Sequence, residues 1–96
     1  MTTEKKNFAH EIIKHLYSLG FEAKDKEDET LLLMDSTTLI EHIENLDEAV
    51  LIFHRHGEPS ETMHYVGGVE PDETVADYSG KNIEAKWEEL SNENES

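Results

Sequence analysis

Ala49-Val50-Leu51-Ile52-Phe53-His54-Arg55-His56-Gly57-Glu58-Pro59-Ser60-Glu61-Thr62-Met63-His64-Tyr65-Val66 is the stretch that decides the architecture. The unbroken apolar run Ala49 to Phe53 is rich in β-formers and predicts a central strand. Gly57 to Ser60 supplies turn residues, and Thr62 to Val69 is placed to return antiparallel. Gly67-Gly68 marks a bulge or the end of that strand. A sheet with so apolar a strand needs amphipathic helices to cover it.

Both flanks supply them. Upstream, Phe8, Ile12, Leu16 and Leu19 recur at spacings of 4, 4 and 3, which predicts a helix from Glu4 to Leu19 capped by Thr3 and stopped at Gly20. Phe21 to Asp25 alternates and Glu29 to Met34 is apolar, which predicts a hairpin across Lys26-Glu27-Asp28. Leu39, Ile40, Ile43 and Leu46 form one face of a short helix, with Thr38 and Glu41 as a capping box. Downstream, Pro71 to Tyr78 reads as one or two helical turns. Ile83, Trp87 and Leu90 then stripe a last helix with Asn82 as its cap, and residues 91–96 read as a frayed tail. The expected fold is α+β, in the order α-β-β-α-β-β-α. An antiparallel sheet of about four strands would carry two to three helices on one face, in a single domain over residues 1–90.

Charge separates the function classes. Between Glu27 and Gly80 lie fourteen carboxylates and one permanent cation, Arg55. The chain as a whole carries a formal charge of −15. Such a field repels bare nucleic acid and anionic membrane and attracts a basic protein groove. Without cysteine there are neither disulfides nor thiolate metal sites. No apolar run approaches a membrane span and no signal core opens the chain, so a soluble cytoplasmic protein is expected.

The carboxylates are the leading candidate for a binding surface. Phosphates along a nucleic-acid strand stand ~6–7 Å apart. Side chains at i,i+4 on a helix are separated by a similar ~5–6 Å, so an acidic helix face can imitate a phosphate ladder. Glu41, Glu44, Asp47 and Glu48 give such a row, and Glu58, Glu61, Glu70, Asp72, Glu73 and Asp77 extend it from adjacent loops. The plainer reading of the same residues is a solvated acidic surface.

Histidine gives a second constellation. His54 and His56 share a strand face, and an antiparallel return brings His64 opposite, with Glu61 nearby, which is a set suited to Zn²⁺, Ni²⁺ or Fe²⁺. The segment from His54 to Gly68 resembles the first metal motif of cupins. Glu48 stands where that motif has a glycine, and no second motif follows. Half-exposed strand histidines are the plainer reading. No phosphate-binding loop, nucleophile elbow or catalytic triad spacing occurs, so no enzymatic role, metal or cofactor is expected.

A small, cysteine-free, acidic α+β chain resembles the phage-encoded DNA-mimic inhibitors, among them the uracil-DNA glycosylase inhibitors, the anti-restriction proteins and some anti-CRISPR proteins. The order across Leu31 to Val69, with Thr38 to Glu44 as the acidic helix, is similar to that of the uracil-DNA glycosylase inhibitors. That family ends in strands, whereas Lys81 to Leu90 reads as a helix. The resemblance implies a non-enzymatic inhibitor that blocks the DNA- or RNA-binding groove of a basic protein, with homodimer formation left open. The alternatives are an interaction module that uses an apolar interface and a small histidine-cluster metal-binding protein.

Overall fold

The computed structural model describes residues 6–26 and 35–95. The hairpin is its centre. Strand β2 (Glu48–His54) pairs antiparallel with β3 (Glu61–Val66), Phe53 opposite Glu61 and Val50 opposite His64. On the outer side of β2 lies β1 (Glu22–Asp25), and on the outer side of β3 lies β4 (Val75–Ser79), completing a four-stranded antiparallel sheet in the order β1-β2-β3-β4. Three helices accompany it: α1 (Phe8–Ser18), α2 (Ser36–Glu44) and α3 (Lys81–Glu95). The fold is α+β, as the patterning predicts. The strand expected over Glu29 to Met34 lies outside the described residues.

Period-two alternation sorts the sheet into two faces. Ala23, Ala49, Leu51, Phe53, Met63 and Tyr65 point into the core. There they join Phe8, Ile12, Ile13 and Leu16 of α1, Leu39 and Ile43 of α2, and Ile83 and Leu90 of α3. All three helices thus cover one face. Trp87 packs edge-on against Phe8 at 6.1 Å between ring centroids and lies 5.9 Å from Tyr78, so it anchors α3 to both α1 and the sheet.

Four local expectations are corrected. The cap of α1 is Asn7, not Thr3. Asn7 Oδ1 accepts from the His10 backbone N–H at 3.1 Å, because the buried Thr74 hydroxyl holds that end by accepting from the Ala9 N–H at 3.0 Å and donating to Asn7 Oδ1 or the Pro71 carbonyl. Helix α2 is capped by Asp35, whose Oδ1 accepts from the Thr38 N–H at 2.7 Å, so Thr38 takes the third helical position instead of heading a capping box. Pro71–Glu73 does form one 3-10 turn, but Val75–Ser79 is a strand; its pairing with β3 overrides local helical preference. Helix α3 continues past Leu90 to Glu95, and Lys6 bonds Glu93 at 3.2 Å.

The predicted stop of α1 is present. Phe21 N–H donates to the Leu16 carbonyl and Gly20 N–H to the Tyr17 carbonyl, both at 3.0 Å, with Gly20 at φ +95°. That is a Schellman closure, which needs the left-handed conformation glycine adopts freely.

Candidate functional site

The sheet register fixes which side chains gather at each end. β1 finishes, β2 starts, β3 finishes and β4 starts at the same end of the sheet. The start of α1 is tied there through Thr74, and the Asp47 carbonyl accepts from the Gly67 N–H at 2.8 Å. The opposite end holds the stop of α1, the turn after β2 and the start of α3. There Arg55 donates to the Leu19 carbonyl at 2.5 Å and stacks over the Phe21 ring at 4.6 Å.

This geometry divides the predicted acidic row. Glu44, Asp47, Glu48, Glu70, Asp72 and Glu73 assemble at the first end, with Glu41 one helical turn back on α2. All but the half-buried Asp72 are exposed. Asp77 lies on the uncovered face of β4, opposite His64. Glu58 is at the far end, 3.4 Å from Arg55. Glu61 leaves the surface altogether, at 4% exposed. Its Oε1 accepts from the Ile83 N–H at 2.8 Å and its Oε2 from Asn82 Nδ2 at 2.6 Å, so it caps α3 from inside the fold. A signal for this was present in the sequence. Glu61 shares the even-numbered spacing of Met63 and Tyr65, which places it on the buried face.

Three histidines at the same acidic end contact carboxylates on other elements. His10 of α1 stands 3.5 Å from Glu44 of α2, His42 of α2 lies 3.1 Å from Asp25 of β1, and His64 of β3 lies 3.3 Å from Glu48 of β2. Burial, partly opposed by the Glu44 carboxylate, holds the His10 imidazole below its ordinary value. The pairing of Asp25 with His42 was not foreseen from the sequence. Asp25 follows the buried alternation of Phe21 and Ala23, a pattern that could have flagged it as a buried carboxylate seeking a partner.

Between α2 and the first residues of β2 lies a cleft of about 700 Å³, lined by both the His42–Asp25 and the His64–Glu48 pairs. The Lys26 N–H donates to the Val50 carbonyl at 2.8 Å, and among the described residues no strand pairs with Glu48 and Ala49 on that side. Far from it, burial and then the nearby Glu84, Glu88 and Asp77 carboxylates push the Tyr78 phenol up.

The histidine cluster expected around His54, His56 and His64 does not form. The connection from Arg55 to Ser60 sets Phe53 opposite Glu61, so His64 faces Val50, four residues along β2 from His54. Four residues of strand span about 13 Å. His54 instead lies opposite Glu22. Among the described residues, no group of three or more His, Asp or Glu is placed to hold a metal ion. No helix of the described residues is long and apolar enough to cross a membrane.

No protein-family model, curated protein or solved structure matches the chain.

Proposed function

We propose that this chain is a non-enzymatic inhibitor or regulator that docks through its acidic end in the DNA- or RNA-binding groove of a basic protein. One observation carries the reading. Glu44, Asp47, Glu48, Glu70, Asp72 and Glu73, drawn from two separate chain segments, 44–48 and 70–73, come to one end of the sheet. Of the lysines beside them, Lys6 is paired with Glu93. Convergence of like charge is unfavourable in itself. In a cationic groove those carboxylates would accept charge-assisted hydrogen bonds from Arg and Lys and speed association, in a salt-sensitive way.

The uncovered sheet face supports a second reading. Val50, Ile52 and Val66 lie half-buried there, on the side away from all three helices, which suits an interaction module with an apolar interface.

One experiment separates the two. The wild-type chain is used to capture proteins from lysate, and the captured proteins are challenged with duplex DNA. The same is done with Glu44→Lys/Asp47→Lys/Glu70→Lys/Glu73→Lys and with a far-end control, Glu22→Lys/Glu84→Lys. Proteins that bind the wild type and the control, are displaced by DNA and are lost by the four-site variant are the expected result. Equal capture by all three chains, indifferent to DNA, would leave the apolar-interface module standing instead.

A further inference from the structure

Strand β4 forms an outer edge of the sheet, and among the described residues no strand pairs with its outer side. An open edge of this kind is a template for another strand, including the same strand of a second copy. Two features shorten its usable length. The bulge at Ala76 interrupts it on one side, and Gly80, at φ +137°, turns the chain into α3 on the other. Asp77-Tyr78-Ser79 is what remains. Asp77 and Ser79 lie opposite His64 and Thr62 of β3. In an antiparallel ladder alternate residues turn their backbone groups outward, and Tyr78 is the one that does so here. Its N–H donates, at an exposed position, to Oδ1 of the Asp77 carboxylate at 2.9 Å.

From this contact we infer that Asp77 is a guard that keeps two copies of the chain from joining edge to edge through β4. A two-fold pairing centred on Tyr78 uses the free stretch best, because each copy then offers the other the Tyr78 N–H and C=O as a matched donor and acceptor. The Asp77 carboxylate occupies that donor before a second copy arrives. Each copy must break a charge-assisted bond to make the pair. The released carboxylate then stands one residue from the two-fold axis, a diagonal step from its counterpart. Charge acts in the same direction. Glu84 and Glu88 of α3 are exposed and close enough to Tyr78 to act on its phenol, as Asp77 does. Pairing would therefore bring three carboxylates of each copy towards three of the other, and like charges across a strand pair are unfavourable. The guard is independent of the docking proposed above, which uses other residues.

The test follows the full chain by sedimentation equilibrium over a concentration series. It is run in about 1 M salt, where a Debye length of ~3 Å removes most long-range repulsion. Asp77→Asn keeps an acceptor oxygen and loses the charge, whereas Asp77→Val loses both and favours a strand. Ser79→Val adds the same apolar group to the same edge and leaves the guard in place. Wild type, Asp77→Asn and Ser79→Val are expected to stay monomeric. Asp77→Val is expected to dimerise with a dissociation constant on the order of 0.1 mM. Amide exchange at Tyr78 gives a second reading. In dilute Asp77→Val it should quicken by about tenfold, because the N–H has lost its acceptor, and it should slow again as the dimer forms. Urea unfolding of each variant ensures that folded chains are compared. A dimeric wild type, a monomeric Asp77→Val or unchanged exchange at Tyr78 would overturn the assignment. Dimerisation of Asp77→Asn would overturn it too, making charge alone the guard, and dimerisation of Ser79→Val would show that any apolar edge residue suffices.

Discussion

Glu61 and Gly80 are matched to each other: a Cβ on Gly80 would stand 2.3 Å from Glu61 Cγ and 2.4 Å from Oε1. Gly80 also sits at φ +137°, a conformation that side-chain-bearing residues rarely adopt. The carboxylate needs that space to reach the Ile83 N–H and Asn82 at the start of α3. Gly80→Ala is therefore expected to destabilise the protein by about 2–4 kcal/mol, from backbone strain and overpacking together. Glu61→Ala should cost about 1–3 kcal/mol by leaving helix donors unsatisfied. Because the two residues share one contact, the double variant should be less destabilised than the sum of the singles. Urea unfolding of the four chains checks this, and strict additivity would refute the coupling.

What was legible follows the range of the forces involved. The stripe Phe8, Ile12 and Leu16 announces α1 because a helix is written in its own neighbours, and the run Ala49 to Phe53 announces β2 for the same reason. The choice of Asn7 as cap depends on Thr74, 67 residues away in sequence, and no local pattern contains it. Strand β4 was hidden because Pro71-Asp72-Glu73 is a good helix opening and because Val75 and Tyr78 are spaced three apart, as on a helix. A bulge causes that spacing: Tyr65 faces Val75 while His64 faces Asp77, leaving Ala76 as the extra residue. The acidic run was visible, but its division between two ends of the sheet is a property of register, and so is the separation of His54 from His64.

Thr74 is 3% exposed, and its hydroxyl accepts the Ala9 N–H at the start of α1. Thr74→Val preserves shape and removes that acceptor, leaving a buried backbone donor unpaired. A loss of about 1–3 kcal/mol is expected. Hydrogen exchange should quicken at the first turn of α1 more than at α2. Unchanged protection at Ala9 would show that the hydroxyl does not hold this end.

Arg55 combines a bond to the Leu19 carbonyl, a position over the Phe21 ring and a 3.4 Å contact with Glu58. Arg55→Lys keeps the charge and loses the planar fork. If geometry matters more than net charge here, this variant should lose about 1 kcal/mol, near that expected for a stacked cation at a partly exposed site. A Lys variant indistinguishable from wild type in thermal unfolding would reduce Arg55 to a generic cation.

The His10–Glu44 contact yields a pH prediction whose sign runs against intuition for an acidic protein. Acidification lowers the overall negative charge and should relieve self-repulsion. His10 opposes this. Burial is the largest influence on its imidazole and holds it below the ordinary 6.5, with Glu44 only partly compensating. Nε2 is buried without a hydrogen-bond partner, since 3.5 Å from Glu44 is beyond good geometry. The folded chain therefore binds a proton at His10 less readily than the unfolded chain does. Its contribution is complete above about pH 6.5 and is lost as pH falls through the lower folded value. His10→Gln removes the titration and keeps a polar group at the third position of the helix. Between about pH 7.5 and about pH 5.5, on either side of the histidine range, the variant should gain more thermal stability, or lose less, than wild type. An identical pH response in the two chains would mean that His10 is solvated in both states and that Glu44 is an incidental neighbour.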